Sequence, residues 1–140
     1  MNRHIFLGAV ILFLSIVSLS SCKEEDETDA VVSSLVGTWQ LAQVRIDGSS
    51  ADISDYPGYI RLQTNQIYLS YNESNQTLVR GGWSYENGML NISVDLPAAY
   101  YVEKVDGQNL ALKRQDFNTN GEISITVKEY RRTEDSKIPD

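Results

Sequence analysis

From residue 35 onward the chain alternates apolar and polar positions in short runs, and turn residues break those runs at regular intervals. A period of two belongs to half-buried β-strands, whereas a helix repeats every 3.6 residues or so. Eight runs stand out: Gly37–Ile46, Gly58–Gln63, Gln66–Tyr71, Thr77–Tyr85, Met89–Val94, Tyr100–Val105, Asn109–Arg114 and Glu122–Arg131. Asn87-Gly88, Asp106-Gly107 and Asn120-Gly121 separate the later ones, and such dipeptides supply the positive φ that tight hairpins need. The alternation assigns one face of each strand to a core. Ile60 and Leu62 share that face, as do Ile67, Leu69 and Tyr71, then Val79, Trp83 and Tyr85 with Gly81 between them. Leu90, Ile92 and Val94 follow, then Leu110 with Leu112, and Ile123, Ile125 and Val127 finish the set. Tyr59 and Tyr68 fall on the opposite, wetter face. Eight consecutive antiparallel strands with one apolar face lose their exposed edges by closing. The expected fold is therefore all-β, a short eight-stranded antiparallel up-and-down meander barrel over residues 35–132, with a polar tail at 133–140.

The residues ahead of the barrel read differently. Met1–His4 carries Arg3, and Ile5–Leu19 is apolar apart from Gly8, Ser15 and Ser18. A membrane-spanning helix needs roughly 20 apolar residues, but the core of a signal peptide needs only about 7 to 15. Residues 1–21 are thus expected to be a signal peptide. Leu19-Ser20-Ser21-Cys22 resembles the bacterial lipobox, which implies that the leader is removed and Cys22 is lipidated. Two or more acyl chains give stable anchoring where one gives only marginal binding. Next comes Lys23-Glu24-Glu25-Asp26-Glu27-Thr28-Asp29, a like-charge block that reads as a solvated, disordered tether over 22–34. It also resembles the acidic export tag of Bacteroidetes lipoproteins, which implies display on the outer face of the outer membrane. A plain spacer would explain the charge equally well.

Charge and absent residues narrow the chemistry. The net charge is −7, from 12 Lys and Arg against 19 Asp and Glu, and about half of the mature excess lies in the tether. No basic stripe suited to phosphate backbones appears, so nucleic acid is not an expected partner. The one histidine, His4, leaves with the leader, and the one cysteine is Cys22. The mature domain therefore lacks the imidazole and thiol that nucleophilic triads and zinc or copper sites use. No Gly-rich phosphate loop is present, and no cofactor is expected. Paired carboxylates could still hydrolyse a glycosidic bond, with Asp52, Asp55, Asp95, Asp106, Asp116 and Glu129 at hand. Most of these occupy turns or polar strand positions, where solvated carboxylates are ordinary.

Leu35-Val36-Gly37-Thr38-Trp39-Gln40-Leu41 opens the first strand with Gly-x-Trp. This resembles the start of the lipocalin and wider calycin pattern, as in the lipocalin-like domains of Bacteroidetes lipoproteins. The resemblance implies that Trp39 closes the barrel base under a basic residue of the last strand. Arg131 shares its parity with Ile123, Ile125 and Val127 and is the expected partner; Arg132 is the alternative. The chain is shorter than ordinary lipocalins, and shows no helix-period stretch after the last strand. The resemblance also implies that the turn-rich Asp47–Gly58 connection covers the open mouth, and a loop of that length is often functional.

Candidate site residues come from the aromatic usage. Beyond the leader only Phe117 is a phenylalanine, beside eight tyrosines and two tryptophans, and tyrosine suits half-wet binding walls. Tyr71, Trp83, Tyr85 and Tyr100 are the candidate lining of a pocket for a small apolar or sugar-like ligand. The bland alternative is a packed core with tyrosine tips at its rim. Asp116-Phe117-Asn118-Thr119-Asn120-Gly121 resembles the opening of an EF-hand calcium loop. The closing position holds Val127 instead of glutamate, so Asp116, Asn118 and Asn120 form a weak metal candidate and a hairpin is the simpler reading. The sequence thus points to a non-catalytic, lipid-anchored binding domain at the cell surface. A protein-interaction module, as inhibitor or accessory subunit of a surface complex, is the alternative, and a carboxylate-dependent hydrolase is third.

Overall fold

The structure, a computed structural model, describes residues 27–140; the expected signal peptide, Cys22 and the first part of the expected tether lie outside the described residues. The chain divides into a unit ending at Ser33 and a second unit, Ser34–Asp140. Residues 27–35 are helical, where the sequence suggested an unstructured tether. Ala30 and Leu35 are strong helix formers.

The second unit contains β1 (Gly37–Ile46), β2 (Ser49–Ser50), β3 (Tyr59–Leu62), β4 (Ile67–Asn72), β5 (Thr77–Glu86), β6 (Met89–Ser93), β7 (Ala98–Val105), β8 (Asn109–Phe117) and β9 (Ile123–Thr133). Leaving aside the two-residue β2, each strand pairs antiparallel with the next, and β9 pairs back with β1. The result is a closed eight-stranded antiparallel barrel, as the alternation predicted. β2 only extends β1 as a small hairpin, through Asp47 and Gly48 at φ of 52° and 83°. Asn87-Gly88 joins β5 to β6 with both residues at positive φ, the conformation a two-residue hairpin favours. The β7–β8 turn works differently, because Asp106 Oδ1 accepts from the backbone N–H groups of Gln108 and Asn109.

Two irregularities set which side chains reach the interior. β1 carries a bulge between Leu41 and Gln43, so Ala42 is the extra residue. Trp39 and Leu41 before it and Val44 after it all point inward and are buried. A second bulge between Val102 and Lys104 does the same in β7. Leu62, Leu90, Leu110 and Leu112 join Trp39 and Val44 as fully buried side chains. They plug the half of the barrel where β1 begins. At the opposite end, formed by the connections 47–58, 73–76, 94–97 and 118–122, Ile46, Val79, Arg114 and Thr126 are only partly covered, while Ser70, Ile92 and Tyr100 are buried.

Two strands reverse the expected parity. In β4, Tyr68 pairs with Leu62 and Gly81 while Leu69 pairs with Arg61, so Tyr68, Ser70 and Asn72 face inward. Ile67, Leu69 and Tyr71 face outward. They stay dry because Tyr59, Leu69 and the tail residue Ile138 form an outer cluster with Ile67 and Tyr71 packed on it. The tail at 133–140 is therefore polar in composition but docked. Its short 3-10 turn, Asp135–Lys137, accepts a 2.6 Å hydrogen bond from Thr38 Oγ1 on Asp135, and Arg61 donates to the Asp135 carbonyl. In β9, Tyr130 pairs with Leu41 and Leu110, which turns Ser124, Thr126, Lys128, Tyr130 and Arg132 inward. Ile123, Ile125 and Val127 lie outside.

Candidate ligand-binding site

The closed end is built around Trp39. Arg132 lies over its ring with the guanidinium carbon 4.2 Å from the centroid, a cation–π contact of roughly 0.5–2 kcal/mol. The same guanidinium donates to the carbonyls of Ser34 at 2.8 Å, Val36 at 2.9 Å and Gly107 at 2.8 Å. Trp39 Nε1 in turn donates to the Leu35 carbonyl. Gly37 is required here: its φ is +142°, and a β-carbon would sit 2.0 Å from Arg132 Nη1. The expected partner Arg131 is exposed on the outer face, opposite Gln40 and Asn109. Its assignment rested on the β9 parity, which runs the other way.

Above this plug the lining changes character. Lys128 Nζ donates to Tyr100 Oη at 3.2 Å and lies 5.2 Å from the centre of the Tyr100 ring. Tyr56, delivered by the connection between β2 and β3, places its ring 5.3 Å from the same ammonium. Arg114 sits on the neighbouring strand, 6.0 Å from the Tyr100 ring, and donates through Nε to Asp116 Oδ1 at 2.8 Å. Burial disfavours the Arg114 charge, yet hydrogen bonds to Tyr100 and Asp116 hold its pKa above the usual guanidinium value. Burial lifts the Tyr68 phenol to about 12, partly offset by a hydrogen bond with Ser70 and reinforced by Tyr100. Burial likewise raises Tyr130 well above the ordinary phenol range, with Tyr68 and Tyr100 adding to the effect. Three tyrosines from three strands thus meet inside the barrel beside two cations.

The sequence-derived candidates divide accordingly. Trp83, Tyr85 and Tyr100 face inward on β5 and β7, and Trp83 is fixed by donating from Nε1 to the Gln63 carbonyl at 2.9 Å. Gly81 admits the strand beside it, since a β-carbon there would lie 2.3 Å from the Ser93 carbonyl oxygen. Tyr71 does not belong to this group; it lies in the outer cluster beneath Ile138. Tyr56, Tyr68, Arg114, Lys128 and Tyr130 were missed. The even positions of the last two strands, which carry Arg114, Lys128 and Tyr130, are the signal that could have found those three; nothing local points to Tyr56 or Tyr68. The calcium-loop resemblance resolves into a hairpin. Asn118 Oδ1 accepts from the N–H groups of Asn120 and Glu122, and Asp116 is engaged by Arg114.

The connection expected to cover the mouth does so through Tyr56. Ser54 N–H caps Asp52, Tyr56 N–H reaches the Ile53 carbonyl, and Leu41 N–H holds the Gly58 carbonyl at 2.8 Å. The first two bonds shape the segment from within, and its ends are held to β1 by the Leu41 bond and by Ala51 N–H donating to the Val44 carbonyl at 2.8 Å.

Comparison with solved structures finds similar chains at low identity. Bovine odorant-binding protein with a selenium-containing odorant is 10% identical with a TM-score of 0.47, covering 76% of this chain and 76% of that one. The same bovine protein with its natural ligand is 8% identical at a TM-score of 0.47, with 74% and 76% covered. Aphrodisin, a sex pheromone from female hamster, is 12% identical at 0.42, with 71% and 75% covered. No curated protein matches the chain in sequence. Residues 35–129 match the sequence model of the lipocalin-like domain, and the chain belongs to that family.

Proposed function

We propose that this protein is a non-catalytic binding cup, lipid-anchored through Cys22 at the outer face of the bacterial outer membrane, that takes a small ligand through its open end. The observation that carries the binding reading is the contrast between the two halves of the barrel interior. One half is filled by Trp39, Leu62, Leu90 and Leu110, all almost fully buried. In the other, inward side chains such as Val79 and Arg114 keep close to two fifths of their surface exposed, so a guest could be covered there. Aromatic walls with a few convergent polar groups are the usual make-up of such a site. The anchor rests on the leader and the lipobox-like Leu19–Cys22, and surface display on the acidic run after it.

Native mass spectrometry of the protein purified from its own host tests the reading. A retained small molecule, together with an acylated Cys22 in the N-terminal peptide, is the expected result. An unmodified Cys22 still joined to its leader, or a consistently empty cup, removes the corresponding half. A second reading, docking of a protein over the mouth, is favoured by Leu96, Phe117 and Ile123, which are 84%, 77% and 60% exposed and lie on mouth-side connections or beside them. Recovery of one stoichiometric protein in the same spectra would support it.

A further inference from the structure

The proposed cup lies in a protein whose net charge is −7, yet its upper interior is cationic. Among the described residues, two cations, Lys128 and Arg114, face inward there against one carboxylate, Asp116. That carboxylate is taken by Arg114 through a 2.8 Å contact. Lys128 has no carboxylate within ion-pair distance among the described residues; its partners are the Tyr100 hydroxyl and the faces of Tyr100 and Tyr56. An ammonium held half-buried against aromatic rings loses hydration that ring faces only partly replace. Such a group is strengthened by any anion that reaches it. Tyr68 and Tyr130, both strongly biased to the neutral phenol, add hydroxyl groups that donate hydrogen bonds and do not themselves become anions at neutral pH.

We infer that the ligand is a small organic anion, its carboxylate, sulfonate or phosphate group seated between Lys128, Arg114 and the Tyr100 hydroxyl, with an apolar body directed toward the mouth. The orientation follows from packing. One inward row closer to the base than Lys128 the barrel is filled by Leu41, Tyr130 and Leu110, so an apolar tail has no room to go deeper than the charged group. Toward the mouth stand Val79 and the Tyr56 ring, which give an apolar body walls to lie against. Arg132, the other inward cation, is spent on three backbone carbonyls at the base and takes no part. This inference rests on the binding-cup reading and adds the charge of the guest to it.

Two dyes of one skeleton separate the two ideas: 1-anilinonaphthalene-8-sulfonate, an anion, and N-phenyl-1-naphthylamine, its neutral counterpart. Each is titrated into the full-length protein in dodecyl maltoside micelles, with energy transfer from Trp39 and Trp83 as the readout and protein-free micelles as the blank. The sulfonate is expected to bind at least about tenfold more tightly than the amine. Lys128→Met should abolish that preference and leave the amine unchanged within about twofold, and Lys128→Arg should retain it. Arg114→Gln provides a second route to a reduced preference if Lys128→Met fails to fold by circular dichroism. Equal binding of both dyes, or a preference that survives both neutral variants, overturns the anion assignment and leaves the cup. Binding of neither dye removes the cup itself.

Discussion

A single guanidinium connects more of this barrel than any other side chain described. Arg132 combines a ring contact with three hydrogen bonds to carbonyls, and charged donors contribute more per bond than neutral ones. Arg132→Ala is expected to cost about 3 kcal/mol in urea denaturation, whereas Arg131→Ala, on the wet outer face, should stay within about 0.5 kcal/mol. Equal effects would refute the assignment of the base pair. Gly37→Ala should also destabilise, by about 2 kcal/mol or more, because its β-carbon and Arg132 Nη1 cannot share the space. In a double-mutant cycle the cost of Gly37→Ala should shrink once Arg132 is alanine, since the clash partner is gone. Parity along β9 pointed to Arg131 because Ile123, Ile125 and Val127 look like core. They are outward because the inner positions of that strand carry the polar lining.

At the scale of strands and turns, the number and order of the eight main strands were legible in the alternation and the Gly-containing turns, and their ends to within three residues, the largest miss being β8, which runs on to Phe117. β5, β6 and β8 also face the way their apolar residues predict. β4 and β9 do not, for one reason seen twice. A period-two pattern says that one face is apolar but not which face is inside, and each of these strands has a second apolar environment or a polar interior. Ile67, Leu69 and Tyr71 find theirs under Ile138, a residue more than 60 positions away whose burial no local pattern announces. Trp83, Tyr85 and Tyr100 could be placed inside from sequence; Tyr56 could not, because its loop has no period. Ile138→Ala should lower stability by about 2 kcal/mol, at the lower end of large-to-small costs because the site is near solvent. Thermal unfolding checks this, and the cost should shrink in a Leu69→Ala background if the two side chains form one cluster with Tyr59.

For the molecule as a whole, the buried phenols set an alkaline limit. Tyr68 titrates at about 12 in the fold, against about 10 in an unfolded chain. The folded state therefore holds its proton more tightly, and the contribution is complete below pH 10 or so and is lost as pH climbs toward 12. Tyr68 alone should remove about 3 kcal/mol across that window, with Tyr130 acting in the same direction. Tyr68 and Tyr130 should ionise, by phenolate absorbance, only as the circular dichroism signal collapses. A phenolate signal that appears with the barrel intact, and that Tyr68→Phe or Tyr130→Phe removes, would contradict two buried phenols. The clamp at the base has a mechanical side as well. Arg132 grips the incoming chain at Ser34 and Val36 while its own strand is bonded to β1 and β8 and its side chain to the turn at Gly107. A tug on the segment ahead of β1 is thus shared among three strands and a hairpin and does not peel one edge, so the far rim keeps its shape while the base takes the strain.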